Sequence, residues 1–269
     1  MKLLWPVAAS LLFTISGCSN ASSDPTAKPA TQTEAAAATN SNQTISGNAP
    51  ESVRQAIASR IKKSGLDAKI AAVISTEMPN LYWVTFDDVP AVYMSGDGQF
   101  ILQGELAKLG DNEVTNMSDL LRAQEAKRLL TAIPEKDLII FSPKSKPKAV
   151  IYAFTDVDCS YCRKLHSEVE QINAKGIELR YIAWPRGAAD VAVNKAVWCS
   201  EDRKSAITTA KHGLPVQAPD CKSPVMDQRR IGMQIGVNGT PAIYNSDGKY
   251  LGGYIPANDL VKMLKISSK

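Results

Sequence analysis

The chain has 269 residues, 44% of them hydrophobic and 22% charged, and a formal net charge of +4. This length and composition are typical of an ordinary globular protein of one or two domains. The small net charge, without a Lys or Arg run, argues against a nucleic-acid partner, and the 2 histidines leave little scope for a metal site, so we expect no metal and no cofactor.

Residues 1–17 have the pattern of a secretory signal. Lys2 precedes an apolar stretch that is too short to span a membrane as a helix, and small residues then lead to Cys18. The segment Ile15-Ser16-Gly17-Cys18 resembles the lipobox of bacterial lipoproteins, which implies that Cys18 is lipidated and becomes the mature N-terminus. The alternative is a soluble protein that is cut slightly later, after Ala21. Without Cys18, an even number of cysteines remains for disulfide chemistry in an oxidising compartment.

The next part of the chain divides into a tether and a small N-terminal domain. Residues 18–48 contain scarcely any large apolar side chains, which predicts a flexible tether. Residues 49–115 are predicted to form an α+β domain with a helix from Glu51, and the turn Ser95–Gly98 separates the last two strands as in a hairpin. The four strand-like runs are Ile70–Ile74, Leu81–Phe86, Ala91–Met94 and Phe100–Leu106. A core of this size is small, so we expect the domain to gain stability by pairing with another chain.

Residues 116–141 are predicted to form a linker helix, Ser118–Ala132, and a connection, and residues 142–269 an α/β domain. The predicted elements of this domain are the strand Ala149–Phe154, the helix Cys159–Ala174, the strand Ile177–Trp184, a mostly helical stretch Val191–Ile235, the strand pair Pro241–Tyr244 and Tyr250–Gly253, and the helix Asp259–Lys265. The order βαβ followed by ββα is that of a thioredoxin-like fold with a helical insertion.

The motif Cys159-Ser160-Tyr161-Cys162 lies where a buried strand ends and a helix begins. We expect Cys159 at the exposed helix N-terminus, where unpaired backbone N–H groups and the helix dipole favour a thiolate, and Cys162 on the inner, apolar face. Cysteines at this spacing can close a disulfide, so Cys159 can attack a substrate disulfide and Cys162 can resolve the mixed disulfide. The alternatives are a structural disulfide and a zinc site, but a second C-x-x-C motif that could complete the zinc ligands is missing.

Ionisable residues near the motif leave the size of the thiol pKa shift open. Two are basic and two are acidic: Arg163, Lys164, Asp156 and Asp158. We expect His166 to be a surface residue, with tuning of the thiols as the alternative, and a role for Arg186 near the site stays open.

Thr240-Pro241 opens a predicted strand, a position where proline is unremarkable on its own. Beside a C-x-x-C helix, it indicates the cis-proline loop that faces the cysteines of thioredoxin-like proteins. The remaining pair, Cys199 and Cys221, has no C-x-x-C partner, and we interpret it as a structural disulfide that closes the helical insertion. In the chain-entropy model such a loop contributes about 3 kcal/mol. A second redox pair is the alternative.

Three segments of the predicted α/β domain and one N-terminal segment share a further resemblance. The segments are Phe154–Cys162, Trp198-Cys199, Gly236–Ala242 and Gly98–Gly104. Together they resemble the DsbC/DsbG family of periplasmic disulfide isomerases, the last of them the family's dimerisation domain. The likeness runs from about residue 50 to the C-terminus.

The resemblance implies a homodimer joined by the N-terminal domains, with two catalytic domains facing a cleft for misfolded, disulfide-containing exported proteins. It implies that Cys159 is the attacking thiolate and Cys162 the resolving thiol. Thr240 and Pro241 then form a backbone platform for an extended substrate, and we place Ser160 and Tyr161 beside it as substrate-binding residues. The resemblance also implies the Cys199–Cys221 disulfide and a membrane thiol reductant of the DsbD type as partner.

Two features depart from the family pattern. Ser160-Tyr161 stands where members typically have Gly-Tyr or Pro-Tyr, and this dipeptide tunes the reduction potential, so the balance between isomerase and reductase stays open. The lipid anchor is also unusual; Ser19 after Cys18 favours the outer membrane within a periplasmic location. The alternative functions are a DsbG-like reductase of oxidised single cysteines and a chaperone-like binding module with secondary thiol activity.

Overall fold

The computed structural model describes residues 47–266. The signal segment 1–17, the lipidation site Cys18 and all but the last two residues of the predicted tether lie outside the described residues. Those last two, Gly47 and Asn48, already pair with the first strand, since Ser75 N donates to Gly47 O at 3.3 Å and Asn48 bridges to Ile74. Within residues 47–266 we find no helix whose length and apolar character would let it cross a bilayer.

The N-terminal domain is a helix packed on an antiparallel meander. Helix α1, Glu51–Lys63, has an acidic first turn and a basic last turn, which suits the helix dipole. Its buried residues Ile57 and Ile61, one turn apart, face the sheet. The strands pair in chain order: β1 Ile70–Ser75, β2 Leu81–Phe86, β3 Val92–Ser95 and β4 Ile101–Leu102.

The end of this domain differs from the prediction. The predicted strand Phe100–Leu106 contracts to the two residues of β4, because β3 is the strand that offers it a partner and both β4 side chains point into solvent. A short hairpin follows instead, formed by β5, Ala107–Leu109, and β6, Val114–Asn116. Helix α2, Met117–Thr131, then begins one residue before the predicted position, and the Asn116 side chain caps it by accepting the Asp119 N–H at 3.1 Å.

The C-terminal domain is built on a five-stranded sheet that confirms the predicted thioredoxin-like fold. Strands β8, Ala149–Thr155, and β9, Ile177–Ala183, are parallel at its centre, and the other neighbours are antiparallel. The order is β11-β10-β8-β9-β7, where β10 is Ala242–Asn245 and β11 is Tyr250–Gly252. The edge strand β7, Ile139–Phe141, lies within the region assigned to a connection, because three residues are too few to show a strand periodicity.

The helices pack on both faces of this sheet. The predicted helix Cys159–Ala174 is broken at Glu168, whose carboxylate accepts hydrogen bonds from the Tyr254 hydroxyl and the Ala257 N–H instead of facing solvent. The helices are α3 Ser160–Ser167, α4 Val169–Ala174, α5 Ala188–Cys199, α6 Arg203–Lys211, α7 Val225–Gln234 and α8 Ala257–Met263. The insertion therefore consists of α5, α6 and α7, and it covers the end of the sheet where β8 runs into α3.

Candidate active site

Cys159 lies between the end of β8 and the start of α3, as the N-cap residue of that helix. Its Sγ accepts the N–H of Cys162 at 3.4 Å, so it occupies the position where a helix terminus offers donors to an anion. Pro241 follows a cis peptide bond from Thr240, as the combined motifs predict, and the Thr240 carbonyl oxygen lies 3.2 Å from Cys159 Sγ. The two segments, 81 residues apart in sequence, thus meet at one sulfur atom.

The expectation that Cys159 is exposed is wrong. The residue is only 4% exposed, because the cis-proline loop lies against its Sγ, and Cys162 is fully buried on the inner side of α3. Both thiols are free. The cis-proline loop therefore covers most of the Cys159 side chain.

The two thiols have pKa values displaced in opposite directions. A hydrogen bond from the Cys162 thiol, together with the Thr240 hydroxyl, the Cys162 N–H and the charge of Arg186, lowers the pKa of Cys159 to about 5 although burial opposes the shift. The Thr240 hydroxyl is buried and makes no hydrogen bond within residues 47–266, which leaves it available to a thiolate. Burial raises the pKa of Cys162 well above its usual range, and so does its hydrogen bond to Cys159. One sulfur is thus an anion at neutral pH and the other a proton donor.

A buried carboxylate anchors the loop that brings Arg186 to the site. Asp156 is fully buried, and its carboxylate accepts from Arg186 Nε at 2.9 Å and from Asn194 Nδ2 at 3.0 Å. Burial works against ionisation, but these donors keep the pKa of Asp156 below its usual value. The second acidic neighbour, Asp158, pairs with Arg163 at 2.6 Å on the surface. Arg186, whose role the sequence left open, is therefore the arginine whose charge acts on Cys159.

Lys211 is a buried residue at this site that the sequence analysis missed. Its Nζ donates to Thr155 Oγ1 at 2.8 Å and to the Asp156 carbonyl oxygen at 3.3 Å, both at the end of β8. Burial lowers the pKa of Lys211 to about 8, although the thiols and Asp156 act in the opposite direction. A signal was present in the sequence, since Lys211 follows the buried Ile207 by four residues and so shares its helix face.

His166 is half-buried, so the expectation of a surface histidine is wrong. One ring nitrogen lies 3.2 Å from the Tyr181 hydroxyl and the other 3.0 Å from Thr208 Oγ1. Burial, with the charge of Lys211, lowers the pKa of His166 to about 4, so the ring is neutral at physiological pH. Its hydrogen-bond partners therefore lie in β9 and α6.

The dipeptide between the two cysteines faces solvent. Ser160 is exposed, and Tyr161 is 60% exposed. The Tyr161 ring stacks on Tyr254 with 6.3 Å between centroids, and Lys164 Nζ lies 4.5 Å from the centroid of Tyr254. These side chains form a small aromatic surface beside the covered thiol.

The second cysteine pair lies away from this cluster. Cys199, the last residue of α5, and Cys221, in the loop before α7, are joined by a disulfide with their Cα atoms 5.7 Å apart. The bond closes the loop that contains α6, within the insertion, as the predicted structural disulfide requires.

Comparison with known proteins gives matches over both domains. The thioredoxin-like domain family matches residues 134–266, and the disulfide bond isomerase protein N-terminal domain family matches residues 29–117. Thiol:disulfide interchange protein DsbC of Escherichia coli strain K12 is 32% identical over 176 residues, which cover 64% of this chain and 72% of that protein. The DsbC of Salmonella typhimurium is 34% identical over 166 residues, covering 61% of this chain and 68% of the relative.

Solved structures resemble the chain more weakly. The crystal structure of a disulfide interchange protein from Neisseria gonorrhoeae has 25% identity and a TM-score of 0.44, covering 49% of this chain and 96% of that one. Because this TM-score is low, assignment to a family rests on the sequence matches.

Proposed function

The chain belongs to the family of DsbC thiol:disulfide interchange proteins, and we propose that Cys159 is the nucleophile with which it isomerises or reduces non-native disulfides in exported proteins. The main support for Cys159 as the nucleophile is the environment of its Sγ. Cys159 Sγ accepts a helix N-terminal N–H at 3.4 Å, and its pKa is lowered to about 5. A thiolate is the species that attacks a disulfide, and a thiolate of low pKa is also a good leaving group.

The proposed cycle starts when the Cys159 thiolate attacks one sulfur of a substrate disulfide. A bond forms between Cys159 Sγ and that sulfur, the substrate bond breaks, and the other substrate sulfur leaves as a thiolate. In isomerisation, a substrate thiolate later attacks the mixed disulfide and expels Cys159 unchanged. In reduction, Cys162 attacks Cys159 Sγ, the substrate is released reduced, and the two enzyme cysteines become a disulfide.

Substrate binding is proposed at the cis-proline loop. With Cys159 only 4% exposed, a substrate segment has to lie along Thr240 and Pro241 for its sulfur to come within bonding distance. Ser160 and Tyr161 follow Cys159 directly and are both exposed, so we assign them to the same binding surface. A strand-like segment that lies along these residues would present its disulfide to the thiolate.

Homodimerisation through the N-terminal domain is part of the proposal. Phe100, Ile101 and Leu102 are exposed on and beside the two-residue edge strand β4, which has one partner strand within the chain. An exposed apolar edge strand is a template for pairing with a second copy. Replacing Ile101 by Lys should shift the protein from dimer to monomer in sedimentation, whereas the matched variant Leu214→Lys, at an exposed leucine of the catalytic domain, should stay dimeric. A wild-type monomer would contradict this part.

We also propose a periplasmic location with a lipid anchor on Cys18 and re-reduction by a membrane thiol reductant of the DsbD type. The support is the sequence of residues 15–18 and the need to return Cys159 and Cys162 to thiols after each reduction. Cys18→Ala should release the protein from the membrane fraction into the soluble fraction. A wild-type protein that is already soluble would favour cleavage near Ala21.

The activity is tested by trapping. A Cys162→Ala variant should accumulate mixed disulfides with exported proteins in cells, and Cys159→Ala should accumulate none. Purified wild-type protein should reactivate scrambled ribonuclease; reduction of a sulfenic acid without reactivation would instead favour a reductase of single cysteines. If the Cys159→Ala/Cys162→Ala double variant retained full activity in cells, a chaperone-like role would replace the enzymatic one.

A further inference from the structure

Lys211 is buried beside the candidate active site, yet the exchange cycle described above assigns it no part. Its side chain is only 3% exposed, at the C-terminal end of α6. Nζ donates to the Thr155 hydroxyl at 2.8 Å and to the Asp156 carbonyl at 3.3 Å, and lies 5.5 Å from the centroid of the Tyr181 ring. Among residues 47–266 no carboxylate oxygen lies within 4.0 Å of Nζ, since none of the ion pairs there involves Lys211. Burying an ammonium without a carboxylate partner is costly.

Lys211 and the active-site turn meet at the end of β8. Thr155 is fully buried there, and its hydroxyl accepts from Lys211. The Asp156 carbonyl that accepts from Lys211 also accepts from the Cys159 N–H at 3.4 Å, so the ammonium lies against the start of the turn that carries both thiols. Burial raises the pKa of Cys162, whereas the ammonium and the Thr155 hydroxyl both act to lower it. Lys211, Thr155 and Cys162 are all shielded from water, where a charge acts more strongly on its neighbours than at the surface.

We propose that Lys211 is a positioning residue whose buried ammonium stabilises the thiolate of Cys162 as it forms in the resolving step. This inference rests on the proposed function, because it needs a mixed disulfide at Cys159 for Cys162 to resolve. The Cys162 thiol ionises, and its sulfur attacks Cys159 Sγ. The Cys159–Cys162 bond forms, the bond from Cys159 to the substrate breaks, and the departing substrate sulfur takes up the proton that Cys162 lost. Lys211 keeps its proton throughout.

The insertion thereby acquires a chemical role in addition to a structural one. The intrinsic difficulty of the resolving step is that burial opposes ionisation of Cys162. Besides Cys162, the groups whose charges change the pKa of Lys211 are Cys159, Asp156 and Arg163. The nearby His166 is neutral. Asp156 is already satisfied by Arg186 and Asn194. When the mixed disulfide removes the charge of Cys159, Cys162 is the remaining group that can become an anion beside the ammonium.

The test is a stopped-flow reaction of the reduced, full-length protein with dithiobis(nitrobenzoic acid). Attack by Cys159 releases one thionitrobenzoate, and resolution by Cys162 releases the second. In Lys211→Met, we expect the second phase at neutral pH to be about tenfold slower or more, because an opposite charge at close range shifts a pKa by about 1–3 units. Its pH profile should move upward by about one unit or more, while the first phase changes less.

Two variants control for structural effects. Lys204→Met makes the same charge change at an exposed position of α6 and should resolve at the wild-type rate, and Lys211→Arg, which keeps the charge, should recover most of the lost rate. If Lys211→Met does not fold, Thr155→Val removes the hydroxyl that holds the Lys211 ammonium, with little change of shape, and should also slow the second phase. A Lys211→Met protein that is folded and resolves within twofold of wild type overturns the inference and leaves the proposed function intact. The absence of the first phase in wild type would overturn the proposed function itself.

Discussion

The molecule holds two cysteine pairs in one domain, and their surroundings differ in every respect that matters for sulfur chemistry. Cys159 and Cys162 are free thiols at the junction of a central strand and a helix, next to a cis-proline loop. Cys199 and Cys221 are bonded to each other at the edge of the insertion, one at a helix end and one in a loop. A backbone N–H donor, the buried ammonium of Lys211 and the guanidinium of Arg186 lie near the first pair. The groups around a sulfur, more than the spacing of the cysteines, therefore distinguish a reactive pair from a structural one.

The largest expected effect is at the nucleophile. Cys159→Ser should reduce disulfide exchange to the uncatalysed rate, because a serine hydroxyl is neither ionised near neutral pH nor able to form a mixed disulfide. The measurement is reactivation of scrambled ribonuclease. The double variant Cys199→Ala/Cys221→Ala, assayed below its unfolding transition, should keep most of the wild-type activity. If it lost activity as completely as Cys159→Ser, the second pair would be redox-active and the contrast between the pairs would fail.

The same double variant should show a large effect on stability. Opening the 22-residue loop should lower the free energy of unfolding by about 3 kcal/mol, since the unfolded chain regains the freedom that the cross-link removed. Urea unfolding followed by circular dichroism measures this change. Equal stability with and without the bond would show that the disulfide does not stabilise the fold.

A smaller effect is expected at Arg186. Replacing it with Met removes a positive charge that acts on the Cys159 thiolate and leaves Asp156 with fewer donors, so the pKa of Cys159 should rise by about one unit, equivalent to about 1.4 kcal/mol. Thiolate absorbance followed against pH reports the change. Arg163→Met is the matched control, because Arg163 pairs with Asp158 on the surface, and it should shift the pKa of Cys159 much less. Equal pKa shifts in both variants would contradict this assignment. They would show that Arg163, which is near Cys159 in sequence, affects the thiol as much as Arg186, which is bound to the buried Asp156.

Much of this architecture could be predicted from local sequence. Strand β8 is an almost continuous apolar run, and β9 is apolar apart from Glu178 and Arg180. The N-cap position of Cys159 follows from a strand that ends just before a helix. The sequence indicates a cis-proline loop that faces the cysteines, but its close packing on Cys159 could not be predicted, because the two segments are 81 residues apart in sequence. The burial of Lys211 was not predicted for a related reason. A lysine beside a histidine and a glycine predicts a solvated turn until the packing of α6 against β8 is known.

Strand β4 of the N-terminal domain shows a different limit of prediction from sequence. The run Phe100–Leu106 has the composition of a strand, but a strand also needs a neighbour, and within one chain β4 finds a partner over only two residues. Composition predicts that a segment can form a strand, and the length of the neighbouring strand decides how many of its residues pair. The exposed Phe100 and Leu102 are where a second copy would complete the pairing.

The most direct test concerns the charge on Cys159 in the reduced, folded protein. Alkylation by iodoacetamide is followed against pH, with mass spectrometry to identify the modified cysteine. Because the site is largely covered, the pH midpoint is more informative than the absolute rate. We expect Cys159 to be modified with a midpoint near pH 5, in line with its lowered pKa of about 5, and Cys162 to stay unmodified. A midpoint near that of an ordinary thiol, at about 8.5, or modification of Cys162 first, would contradict the assignment of Cys159 as an ionised nucleophile.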